Sequence, residues 1–228
     1  MDRLLDIISQ LPAIFEQTDQ LLLYQATLSR RQEAQHLLHE CLLLEAQFEH
    51  WQGLETSQRN PHKPLSYWAE DLATISGGIP FSYAYSFSDS MTGTMFLYFW
   101  MAHILFHKNI ECLHRIIFEP VIDAYPNLWP DLPPSLQIDP SKYQQTREFA
   151  DNICRGLDST LEGTTQPDIL VAPLTIALNS YKEINATSSQ DGLLEIMWLE
   201  AFKGRLVEKG QYVTAVIQGN RWVEVAKF

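Results

Sequence analysis

At 228 residues and 26.3 kDa, the chain has room for one substantial domain or two very small ones. Its 46% hydrophobic and 11% aromatic content supplies a packed core and excludes wholesale disorder. Sixteen basic against 28 acidic side chains leave a net charge of −12 (16 − 28), a poor match for a bare phosphate backbone. Three scattered cysteines, Cys41, Cys112 and Cys154, are too few for a disulfide framework or a self-contained zinc module.

The start of the chain carries Asp2 and Asp6, which argues against a secretory or mitochondrial leader. The longest apolar stretch, 95–106, is broken by His103 and falls short of the roughly 20 residues a bilayer demands. The expectation is an intracellular protein, nuclear or cytoplasmic, with no membrane partner.

Along the chain, helix follows helix. Leu4, Ile7, Ile8, Leu11, Ile14 and Phe15 keep helical spacing, and Pro12 divides the stretch into two short helices or bends one. From Leu28, the seam Leu37, Cys41, Leu44, Phe48, Trp51 steps by four and three. Glu33, His36, Glu40, Gln47 and Glu49 take the other faces, and Gly53 is the expected stop. Residues 55–66 read as a loop.

Phe81, Tyr83, Tyr85 and Phe87 alternate as in a strand, but no second strong strand is evident. An extended or irregular aromatic segment lying on helices is expected, with Gly77-Gly78 as a flexible turn before it. Ser88-Asp89-Ser90 then caps a helix that runs to Glu119-Pro120, about 42 Å long and apolar nearly all round. Six prolines between 120 and 140 make a long irregular connection.

Asp139-Pro140 opens the next helix, burying Phe149, Ile153, Leu157 and Leu161. Leu170, Leu174, Ala177, Leu178 and Tyr181 mark another. Ser189 caps the last, with Leu193, Met197, Ala201, Leu206 and Val207 inward and Gly210 at its end. The tail suits a helix at Val213, Val216 and Ile217, or a hairpin at Gly219-Asn220. The fold class expected is all-α: a single-domain helical bundle over 1–228, with a buried central helix and a long Pro-rich connection.

Candidate chemistry is sparse. His103, His107, Glu111 and His114 fall at about 0°, 40°, 80° and 20° on one helical face. A histidine pair at i, i+4 can bind a metal or act as acid and base, but the residues between them, Ile104, Leu105 and Phe106, are not those of a metalloprotease motif. The bland alternative is a polar stripe on a long helix, and no metal is expected. No nucleophile elbow, phosphate-binding loop or Cys-x-x-Cys pair occurs, so no cofactor is expected either. The rings Trp68, Phe81, Tyr83, Tyr85, Phe99 and Trp100 can line an apolar ligand pocket or fill a core.

Several stretches together resemble the C-terminal helical regulatory domain of fungal zinc-cluster transcription factors. They begin with Cys41-Leu42-Leu43-Leu44-Glu45-Ala46-Gln47-Phe48-Glu49-His50-Trp51, then Phe81-Ser82-Tyr83 and the aromatic helix 95–104. Ala150-Asp151-Asn152-Ile153-Cys154-Arg155 and Ala172-Pro173-Leu174 with Tyr181 follow. Trp198, Leu206, Gly210, Val216-Ile217 and Trp222 close the series. That family couples such a region to a six-cysteine binuclear zinc cluster. Here no such cysteine set and no basic linker exist, and the first lysine is Lys63.

The resemblance implies a regulatory or small-molecule-binding domain without its own DNA-binding module. Its partner would be a protein or an apolar small molecule, with no direct nucleic-acid contact, and a homodimer fits the same reading. The competing expectation is a cofactor-independent enzyme of fungal specialised metabolism. It would cyclise or isomerise an apolar substrate in the aromatic pocket, with His103, His107 or a pocket tyrosine as the hydrogen-bond donor or acid and base.

Overall fold

In the computed structural model, the described residues are 2–56, 66–71, 80–124, 129–188 and 191–219, by backbone alone at 2, 56 and 213–219. The fold is all-α, 76% helical with a small two-stranded sheet. It forms two compact units, residues 1–60 with 102–146 and residues 61–101 with 147–228.

In the first unit, α1 (Asp2–Ile8) and α2 (Leu11–Leu22) are separate helices. Pro12 lies in the first turn of α2, where its missing N–H costs nothing. The helix α3 (Leu28–Thr56) buries the whole expected seam: Leu37, Cys41, Leu44, Phe48 and Trp51. Its start is capped from far along the chain, because the Asp123 carboxylate accepts the Leu28 N–H at 2.9 Å.

Gly53 does not stop α3. A left-handed stop needs a positive φ, and among the described residues the positive-φ glycine is Gly192 instead. From α4 (Ser90–Phe118), residues from Ala102 onward belong to this unit. Val121, Leu132 and Leu136 of the Pro-rich connection are buried, and residues 125–128 lie outside the described ones. The five-residue α5 (Pro140–Gln144) follows, capped by Asp139, whose carboxylate accepts the Ser141 N–H at 3.0 Å.

In the second unit, the aromatic segment is a strand after all. β2 (Tyr83–Phe87) pairs antiparallel with β1 (Tyr67–Asp71), from Tyr67 opposite Phe87 to Asp71 opposite Tyr83. The expected irregular segment is thus corrected. Its partner is only five residues long and ends in Glu70-Asp71, too short and too acidic to signal a strand from sequence. Gly77-Gly78 lies outside the described residues. Asp89 caps α4, its carboxylate accepting the Thr92 N–H at 2.8 Å, and this bond holds its pKa down.

The helix expected from Pro140 is two helices. The backbone leaves the helical region at Gln145, and α6 (Arg147–Gly163) starts afresh. On it Ile153, Leu157 and Leu161 are buried as expected and Phe149 half so. Leu174, Ala177, Leu178 and Tyr181 of α7 (Val171–Thr187) complete the same core.

The last helix departs most from expectation. α8 (Leu193–Gly219) runs on through Gly210, so the tail is helical to Gly219 and not a hairpin there. Ser189, the expected cap, lies outside the described residues. Among the described side chains of α8, Leu199, Phe202 and Leu206 are buried, the last as expected, whereas Leu193, Met197, Ala201 and Val207, also expected inward, face solvent. Apolar residues occupy both sides of this helix, so spacing alone selected the wrong stripe.

Candidate functional site

The helical repeat of α4 brings His103 and His107 to one side, where both are buried in the first unit. The wider face does not act together: Glu111 is exposed, and His114 is half-buried with its ring 4.5 Å from Phe118. Among the described residues, no group of three or more His, Cys, Asp or Glu side chains could hold a metal.

The His103 ring centre lies 4.9 Å from Phe48 and 5.5 Å from His107, and His107 lies 5.1 Å from Tyr143. Tyr143 donates its hydroxyl to Glu45 Oε2 at 2.8 Å, and Lys142 Nζ approaches Glu45 Oε1 at 2.9 Å. The result is a buried string of two imidazoles, a phenol and a carboxylate, ended by the half-exposed Lys142 ammonium group.

Burial sets the electrostatics. It lowers His103 to about 3, helped by the His107 and Lys142 charges. It lowers His107 to about 4, where Glu45 opposes it and Lys142 assists. The Tyr143 phenol is pushed well up by burial, then by its bond to Glu45. Burial alone would pull Lys142 down, but Glu45 and Glu49 outweigh it and raise the group. Cys41 is pushed up to about 12 by burial, against the hydrogen bond from Asn109 at 3.7 Å.

At neutral pH each group therefore holds one protonation state: neutral rings, neutral phenol and thiol, charged lysine. General acid–base catalysis works best with a pKa near the operating pH, and these rings lie far below it. The geometry suits a fixed polar tie between α3, α4 and α5. Glu45→Gln removes the charge that holds Lys142, and we expect a loss of about 1–2 kcal/mol in urea unfolding, with Lys142→Met costing less because that side chain is half exposed.

Sequence reasoning missed Glu45, Lys142 and Tyr143 as members of this site. Glu45 sits in an apolar run behind Leu42-Leu43-Leu44, and its partners are almost a hundred residues away. A lone acid inside a hydrophobic seam was the available signal.

In the second unit, most of the expected ligand-lining rings do converge. Tyr85 stacks on Trp100 at 5.6 Å and 28°. Tyr67, which opens the aromatic run but is not among the six expected lining rings, meets Tyr85 at 5.1 Å and Phe96 at 4.7 Å, and Phe87 stacks on Phe96 at 6.2 Å. Phe81 and Tyr83 flank the Arg155 guanidinium, whose carbon lies 4.8 and 4.5 Å from the two ring centres.

Arg155 and the Tyr85 hydroxyl both donate to Asn152 Oδ1, at 3.0 and 3.1 Å. Burial, then Tyr83, pushes the Tyr85 phenol up to about 12. Phe99 and Trp100 are buried, at 1% and 3% exposure. Trp68 is the outlier: it is 41% exposed on β1, and its indole N–H donates to Glu70 at 2.7 Å.

The first unit also carries three open clefts along α1, α2 and α3, of about 420, 540 and 400 Å³. Ile7, Trp51 and Leu54 give the first an apolar lining, but none of the three includes His103, His107 or any of the six expected ligand-lining rings.

No protein-family model matches the chain, and neither a curated protein nor a solved structure matches it.

Proposed function

We propose that the chain is a regulatory helical domain that acts through protein contacts. It would be the counterpart of the effector region of fungal zinc-cluster transcription factors. The observation that carries this reading is the state of the aromatic cluster. Rings that could have lined a ligand pocket stack on one another and on Arg155. Apolar side chains are left over at the surface instead. The depressed imidazoles support the same side, because bases with pKa values of about 3 and about 4 contribute little to isomerisation at neutral pH.

The test is a deletion strain profiled for transcripts and metabolites together. Regulation gives a coordinated change in a set of transcripts. One accumulated apolar precursor with transcripts unchanged overturns the reading in favour of the cyclising or isomerising enzyme.

A further inference from the structure

Between α1 and α3 lies the open cleft of about 420 Å³. Residues 3, 6 and 7 of α1 form one wall, and residues 46, 47, 50, 51 and 54 of α3 form the other. Both sets keep the three- and four-residue spacing of one helical face. Ile7 and Trp51, almost fully buried, and the more open Leu54 give the cleft its apolar surface. Every lining residue belongs to the first unit, and the volume falls within the roughly 300–1,000 Å³ of small-molecule sites.

The α1 wall carries two opposite charges, Arg3 and Asp6, one helical turn apart. Among the described residues, neither side chain makes an ion pair or a hydrogen bond; what Asp6 accepts from Ser9 and Gln10, it accepts at its backbone carbonyl. Arg3 is the exception in this chain, because every other described arginine donates to a partner within the fold. Acids outnumber bases 28 to 16, so a cation without an acid of its own is the rarer case. The other two clefts lack this arrangement. In the one of about 540 Å³ the arginine, Arg30, is already held by Glu119 at 2.7 Å, and the residues lining the one of about 400 Å³ include no cation.

The geometry points to a binding site for a free apolar α-amino acid. Arg3 takes its carboxylate, Asp6 takes its ammonium group, and its side chain lies on Ile7, Trp51 and Leu54. His50, also in the lining, offers a further ring donor. Only a ligand with both charges answers both α1 side chains. A simple carboxylic acid meets Asp6 as a repelling charge, and a simple amine meets Arg3 as one. The site is apart from the aromatic cluster and from the buried histidines, and the inference does not depend on the proposed regulatory role.

Titration of the full chain with L-phenylalanine, followed by proton–nitrogen NMR, tests it. The expected result is saturable binding with a Kd of about 0.1–1 mM, because the charges are exposed and screened. The shifted signals should concentrate on α1 and on the Trp51 indole. L-phenylalanine methyl ester lacks the carboxylate and N-acetyl-L-phenylalanine lacks the ammonium group, and each should bind at least about fivefold more weakly. Arg3→Gln should erase the penalty of esterification, and Asp6→Asn should erase the penalty of acetylation. Both side chains are exposed and make no bond to the fold, so neither substitution should move the thermal midpoint appreciably.

No saturable binding up to about 10 mM overturns the inference. So does an affinity that neither esterification nor acetylation lowers, binding indifferent to Arg3→Gln and Asp6→Asn, or shifts confined to another part of the chain. In each of those cases Arg3 and Asp6 are solvated surface charges only.

Discussion

Lowering the pH from 7 to 5 should destabilise the unit formed by residues 1–60 and 102–146 by about 2 kcal/mol for each of two buried rings. His103 and His107 are neutral in the fold, with pKa values brought down to about 3 and about 4, mainly by burial. In the unfolded chain an exposed imidazole titrates near 6.5. Between these limits the unfolded state binds more protons, so stability rises with pH. Its full value is present above about pH 6.5 and falls away as the pH drops towards the folded values. The groups packed against the rings shape the slope: Glu45 favours a protonated His107, whereas Lys142 disfavours protonation of both rings.

Urea unfolding at half-unit steps from pH 7.5 to pH 5 measures the effect, within about 10–15% of each extrapolated value. His103→Leu should remove about half of the slope, whatever it does to stability at pH 7. A slope equal to that of the wild-type protein would mean that His103 already takes up its proton in the folded state.

The pattern of residues made most of the helical frame legible, and it failed for identifiable physical reasons. The α3 seam was readable because Leu37, Cys41, Leu44, Phe48 and Trp51 are apolar on one side while the other faces are charged. The same method failed on α8, where both sides are apolar and periodicity has two solutions; Leu193 and Met197 lie on the exposed one. The strand β2 was visible in its alternation, but its partner was not, since a five-residue strand depends on cross-strand contact that spacing does not encode.

At the candidate sites, α4 showed its histidines at once because they are local to one helix. What gives them their character, Glu45 from α3 and Tyr143 from α5, joins them only through tertiary packing. The Arg155 clamp is similar: Phe81, Tyr83 and Arg155 were each in plain view, and their meeting was not.

In the second unit, the substitution Gly93→Ala, stabilising in most helices, should here cost about 2–3 kcal/mol net. Alanine is favoured over glycine in a helix interior by about 1 kcal/mol, because it restricts the unfolded chain and carries no backbone penalty. At Gly93 that gain is outweighed by sterics. A Cβ there would stand 2.4 Å from Thr160 Oγ1 and 2.9 Å from Phe87 Cδ2. Neither neighbour can swing clear. Thr160 is fully buried on α6, its hydroxyl bonded to the Gly156 carbonyl at 2.8 Å, and the Phe87 ring is stacked on Phe96. Gly156 is bare for the same reason, since its own Cβ would meet Phe87 Cζ at 3.0 Å.

Close approach of α4 and α6 across these two glycines therefore fixes where β2 can lay Phe87, and an added methyl must push a helix or the ring aside. A double-mutant cycle isolates this cause. Thr160→Ala alone loses a buried hydrogen bond and a methyl group and should cost about 1–2 kcal/mol. Combined with Gly93→Ala, however, it removes the nearest clashing atom, so the double variant should be at least about 1 kcal/mol more stable than the sum of the single losses implies. Strict additivity in urea midpoints would place the strain of Gly93→Ala elsewhere, against the Phe87 ring, and Gly93→Ala in a Phe87→Leu background would then be the pair to relax.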